Sequence, residues 1–143
     1  MGNVTVEYDE SLDICFFTVE GDVGYELLLG EIDKYYKVHL TRYTLWDFRN
    51  ASLKLTTEEL KKIAGYVIDR ERKRPPGTGC VTTIVVSDLL KYGLARMFAA
   101  LNEAVRNDGT TITTGVFRSK EEALSWIKIH HYNENQTNRR PGS

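Results

Sequence analysis

Val4, Val6 and Tyr8 alternate with Thr5 and Glu7, the period-two pattern of a strand with one face on a core. Asp9-Glu10-Ser11-Leu12-Asp13 reads as a polar turn. Ile14-Cys15-Phe16-Phe17-Thr18-Val19 reads as a second strand, antiparallel to the first, that breaks at Gly21-Asp22-Val23-Gly24. Tyr25, Leu28, Leu29, Ile32, Tyr35 and Tyr36 then recur at spacings of three and four, so one apolar stripe of a helix faces a sheet. Leu45-Trp46-Asp47-Phe48 is short and nearly continuously apolar, as a strand covered on both faces would be. Thr56 and Glu59 form a capping box, in which hydroxyl and carboxylate each accept from a free backbone N–H. Leu60, Ile63, Ala64, Val67 and Ile68 continue that helix into Arg70-Glu71-Arg72-Lys73-Arg74, where Pro75-Pro76-Gly77 stops it.

The β-branched, apolar run over residues 80–86 is the clearest strand signal in the chain. Ser87 caps a helix with Leu90, Leu94, Met97, Phe98, Leu101 and Val105 on one face, and Asn107-Asp108-Gly109 ends it. Residues 111–117 form the last strand, and Ser119 with Glu122 opens a final helix through Ala123, Leu124 and Ile127. The order is ββαβαβαβα. Strands alternating with helices imply right-handed crossovers, so the expected fold is α/β with a mixed, mostly parallel sheet. The opening hairpin supplies the antiparallel edge. Residues 1–129 are expected to form a single domain. Residues 130–143, polar and without periodicity, are expected to be a disordered tail.

Composition narrows the function classes. The chain has 143 residues, 41% hydrophobic and 27% charged, which suits one globular domain with a real core. Nineteen basic residues against twenty acidic leave a net charge of −1, so no global field draws the domain to nucleic acid or an anionic membrane. No apolar stretch approaches a membrane span, and the start of the chain lacks the basic and apolar regions of a signal peptide. Cys15 and Cys80 each lie in an apolar β-like run and read as buried thiols of a reducing, cytoplasmic setting. Two thiols are too few for a metal site, and no cofactor is expected. His39 sits at a helix end, and His130 and His131 are adjacent, so the histidines do not converge on one ligand.

In open α/β sheets, ligands collect outside the carboxyl ends of the strands. Those ends carry Asp47, Arg49 and Asn50, then Ser87 and Asp88, then Arg118 and Ser119. Tyr92 and Arg96 lie one and two turns into the helix that Ser87 opens and face the same rim. Arg49 and Arg118 beside a helix N-terminus would suit an anion. The plainer alternative is that the serines are caps and Asp47 an ordinary ion-pair partner. The basic run over residues 70–74 crowds a helix C-terminus, where cations stabilise the exposed carbonyls. The aromatics Tyr25, Tyr35, Tyr36, Tyr66, Tyr92, Trp46 and Trp126 exceed what a small core encloses. The helix holding Tyr92, Met97 and Phe98 is accordingly the candidate interface of a homodimer.

Three segments carry a resemblance. Trp46-Asp47-Phe48-Arg49 precedes a capped helix. Tyr92-Gly93-Leu94-Ala95-Arg96-Met97-Phe98 lies in the third helix. Val116-Phe117-Arg118 is followed by Glu121-Glu122-Ala123-Leu124-Ser125-Trp126-Ile127. Together, over residues 4–129, they resemble the SpoIIAA-like, or STAS-like, family of small bacterial proteins. The resemblance implies a mixed sheet with helices, related to anti-sigma-factor antagonists and to lipid-carrying Sec14-type domains. It also implies, for the antagonists, a serine phosphorylated in an Asp-Ser-Ser-Gly loop. The matching region here reads Arg49-Asn50-Ala51-Ser52-Leu53-Lys54-Leu55-Thr56, so Ser52 and Thr57 would be loose substitutes, and Thr56 is already a cap.

The expected function is a non-enzymatic binding or regulatory domain, acting through protein contacts or a small ligand at the carboxyl-end rim. The alternative is a carrier of a lipid or other apolar molecule, for which 143 residues leave little volume beside a normal core. A third reading is an enzyme using Asp47, Arg49, Ser87 and Arg96.

Overall fold

The structure is a computed structural model that describes residues 2–38, 40–75, 81–88, 93, 95, 96, 99 and 113–138. Its elements are β1 (Asn3–Asp9), β2 (Ile14–Gly24), α1 (Tyr25–Val38), β3 (Tyr43–Lys54), α2 (Thr57–Arg72), β4 (Val81–Val85), β5 (Thr113–Phe117) and α3 (Lys120–Asn138). Gly93, Ala95, Arg96 and Ala99, between β4 and β5, are helical. The five strands form one sheet in sequence order, β1-β2-β3-β4-β5. The β1–β2 pair is antiparallel and the other three are parallel, as the pattern predicts.

Chain order alone explains the layers. Right-handed crossovers that keep stepping in one direction place their helices on one face of a sheet. Leu28, Ile32 and Tyr35 of α1, Ile63 of α2 and Ala95 accordingly share one core cluster with Phe17, Trp46 and Ile84. The opposite face would be left bare. α3 follows the last strand and is no crossover, so it folds back and covers that face, burying Ala123 and Ile127 against Ile14, Tyr43, Leu45, Val81 and Val85.

Thr56 and Glu59 form the expected capping box, with bonds of 2.9 and 3.1 Å. Ser119 accepts from the Glu122 N–H at 3.1 Å, the cap expected at the start of the last helix. The hairpin turn places Asp13 at φ 53°, the left-handed region that Asp tolerates better than most residues. Its carboxylate accepts from the Arg42 N–H at 2.9 Å and the Tyr8 hydroxyl at 3.2 Å, tying the turn to the start of β3.

Three boundaries differ from the sequence expectation. β2 does not break at Gly21; it runs on to Gly24, with Gly21 at φ 76°. β3 does not stop at Phe48 but continues to Lys54, and the two extensions pair from Glu20↔Asn50 to Gly24↔Lys54. Past an irregularity in β3, Ala51 and Leu53 turn inward and Ser52 and Lys54 outward, out of step with Trp46 and Phe48, and the glycines of β2 read as a break, so neither extension showed. α3 runs through residue 129 to Asn138, where a tail was expected. The reason is tertiary: Glu134 accepts from the Tyr43 hydroxyl at 2.6 Å and pairs with Arg42, and His131 packs edge-on against the Tyr43 ring. Burial beside Glu134 pushes the Tyr43 hydroxyl well above the usual tyrosine range. Residues 139–143 and most of the expected third helix lie outside the described residues.

Candidate functional site

The rim residues lie beside an irregularity in β3. Thr18 pairs with Asp47 and Glu20 with Asn50, so three steps of β3 match two of β2. One extra residue in a strand is a β-bulge, and it reverses which residues face each side. Before it, Trp46 and Phe48 face the α1–α2 core; after it, Ala51 and Leu53 do. The bulge sits level with the end of β4, since Asp47 pairs with Val85. Asp47 and Arg49, two apart and alternating with the inward Trp46 and Phe48, lie together on the α3 side of the sheet beside it.

There they lock. The Arg49 guanidinium donates to the two Asp47 carboxylate oxygens at 2.9 and 2.8 Å, and the Arg49 N–H adds a third bond at 3.1 Å. The side chains are unequally covered, 36% exposed for Arg49 and 11% for Asp47, so one flank of the guanidinium meets solvent. The Ser87 hydroxyl donates to the Arg49 carbonyl at 3.1 Å, fastening the end of β4 to the bulge. The Val86 N–H donates to the Phe117 carbonyl at 3.0 Å, bringing up the end of β5 and with it Arg118 and the N-terminus of α3. Lys120, over the Phe16 ring at 5.1 Å, acts electrostatically on Asp47, and Glu121 on Arg49.

Burial disfavours the Asp47 charge, but the Arg49 fork and the nearby Lys120 outweigh it and hold the carboxyl below its ordinary range. A carboxylate with a lowered folded-state pKa contributes stability above its unfolded pKa and loses it as pH falls through the folded value. The stability difference between wild type and Arg49→Gln is therefore expected to be full near neutral pH and to shrink below about pH 4. Urea unfolding at several pH values measures it. A difference independent of pH would mean the fork is not what holds the charge.

Of the residues expected at the rim, Asp47, Arg49 and Ser87 are in direct contact, and Asn50, Asp88 and Arg118 are exposed at the same end. Arg96 is exposed on the segment whose Ala95 packs in the α1–α2 core. Tyr92, Met97 and Phe98, the expected dimer contact, lie outside the described residues. Ser52 is exposed within β3, paired with Asp22, and Thr57 opens α2. Lys120, Glu121 and Phe16 were not anticipated. A basic residue directly after the Ser119 cap was the available signal for Lys120.

A second polar cluster also escaped the sequence reading. Glu71 is 1% exposed, in the middle of the basic run. Arg74 donates to it at 2.8 Å, and the Tyr36 hydroxyl donates to the same oxygen at 2.7 Å. Arg74 also donates to the Tyr35 hydroxyl at 2.6 Å and the Thr41 carbonyl at 3.3 Å. The run is thus partly an internal clasp between the ends of α1 and α2. Its signal was in the periodicity: Glu71 falls four residues after Val67, on the apolar stripe of its own helix.

No protein-family model matches the chain, and no curated protein matches it by sequence. Solved structures do match by fold. An uncharacterized protein of the DUF3478 family with a SpoIIAA-like fold, from Shewanella loihica PV-4, superposes with a TM-score of 0.53 at 14% identity. That match covers 88% of this chain and 93% of the other. An anti-sigma factor antagonist from Mycobacterium paratuberculosis gives 0.52 at 13% identity, covering 90% and 95%. The anti-sigma factor antagonist SpoIIAA in its unphosphorylated form gives 0.52 at 12% identity, covering 88% and 98%. The chain has a SpoIIAA-like fold, in agreement with the resemblance carried by its motifs.

Proposed function

We propose that this chain is a non-enzymatic regulatory domain that acts by binding a protein partner at the carboxyl-end rim, centred on Arg49. The observation that carries the reading is the Asp47–Arg49 fork beside the bulge, its arginine side chain 36% exposed and surrounded by exposed Asn50, Ser87, Asp88 and Arg118. A guanidinium already locked by its own carboxylate loses little side-chain entropy when a partner docks. Charges around it steer encounter and choose the partner more than they add raw affinity. The fold likeness to anti-sigma factor antagonists supports the same role, since those proteins are named for acting on another protein.

The test is site-specific photo-crosslinking in cells of the source organism, with the crosslinker at Asn50 or Ser87. One dominant protein adduct is expected, reduced at least tenfold by Arg118→Glu and by Arg49→Glu, with circular dichroism confirming that both variants fold. An adduct unaffected by either reversal, or one formed equally from a crosslinker at Glu31 of α1, would overturn the proposal.

A further inference from the structure

On the α1–α2 face of the sheet, one polar row interrupts an apolar surface. Thr44, Thr82 and Thr114 stand level across β3, β4 and β5. The Thr44 hydroxyl donates to that of Thr82 at 3.2 Å. Among the described residues, the Thr114 hydroxyl has no hydrogen-bond partner. All three threonines line a cavity of about 80 Å³ between the sheet and the helices. Among the described residues the rest of the wall is overwhelmingly apolar and includes Ile32, Trp46, Ile63 and Ile84.

Protein interiors hold few voids larger than a water molecule. An apolar pocket with a few convergent polar groups is the usual form of a small-molecule site. Among the described residues the nearest charges do not ask for an ionic ligand: Tyr35 and Tyr36 also line the cavity, but their hydroxyls serve Glu71 and Arg74, which neutralise each other. Size sets the other limit. A dry cavity of about 150 Å³ takes the six carbons of a benzene ring, so roughly half that volume takes a molecule of about three to four heavy atoms.

We propose that this cavity binds a small neutral amphipath, its hydroxyl or carbonyl on the threonine row and its branched apolar body between Ile32, Ile63 and Ile84. The site lies on the opposite face from the Arg49 fork, so it stands or falls independently of the protein-binding rim.

The test follows the methyl resonances of the full chain by carbon–proton NMR. Propan-2-ol serves as the probe, xenon as an apolar control and acetate as a charged one. The alcohol is expected to give saturable shifts centred on the Ile63 and Ile84 methyls, and the carboxylate none. Thr114→Val, a near-isosteric change on an edge strand, should weaken the alcohol at least fivefold and leave xenon unchanged, while Thr114→Ser should keep affinity within twofold. Thr82→Val is the second variant if Thr114→Val does not fold. Absence of saturable shifts overturns the proposal. So does equal alcohol affinity in wild type and Thr114→Val, which would make the cavity a plain void.

Discussion

Replacing Arg74 with methionine is expected to lower the free energy of unfolding by about 3–5 kcal/mol, the usual cost of stranding one member of a buried ion pair. The Glu71 and Arg74 side chains are 1% and 5% exposed, so water cannot take over the lost bond. Glu71 would keep the Tyr36 hydroxyl at 2.7 Å but lose its countercharge. The Thr41 carbonyl and the Tyr35 hydroxyl would each lose a donor as well. Burying both partners as apolar groups of similar volume is often neutral, so Glu71→Leu combined with Arg74→Met should recover most of the loss. Urea unfolding of the three proteins decides it. An Arg74→Met midpoint close to wild type would show that the clasp contributes nothing to stability. A double variant no better than the single would show that its value lies in geometry instead of charge.

Phe17→Ala is expected to cost a similar amount, about 3–5 kcal/mol, from lost burial and the cavity left behind. Phe17 is 1% exposed and stacks on Trp46 with ring centroids 3.8 Å apart and an interplanar angle of 3°. Its other side meets the edge of Tyr35 at 6.0 Å. It therefore joins the two central strands to α1, and Tyr35 in turn reaches the Arg74 clasp. The site has little means of collapsing, because Trp46 is held on its far side by Phe48, stacked at 6.1 Å. Loss of the near-ultraviolet circular dichroism of the Trp46 environment should accompany the drop in melting temperature. A stability within about 1 kcal/mol of wild type would mean that the neighbours repack freely, contrary to a close-packed core.

The rim and the clasp were read from the sequence with unequal success, for different reasons. Asp47, Arg49 and Ser87 were legible because topology puts loop-proximal polar residues at the carboxyl ends of parallel strands. Their locking was not, because residues two apart on one strand face show in sequence only as polar positions, and whether they bond to each other or to solvent depends on burial by α3. Glu71 and Arg74 were hidden by charge counting. Four cations and one carboxylate in five residues look like a solvated helix end, and only the neighbouring tyrosines of α1 turn two of them inward.

By itself, the sequence determined the element order, the antiparallel entry hairpin, the caps at Thr56 and Ser119, and the stripes on α1 and α2. Each of these follows from periodicity or from bonds between residues a few positions apart. The tertiary structure alone decided the length of β2 and β3, the reach of α3 to Asn138, the Glu71–Arg74 clasp and the threonine row. Each of those rests on partners tens of residues away: Asn50 on Glu20, Glu134 on Tyr43, Tyr36 on Glu71, Thr44 on Thr82. Burial gives a polar residue its meaning, and burial is a property of the folded neighbours and not of the local pattern.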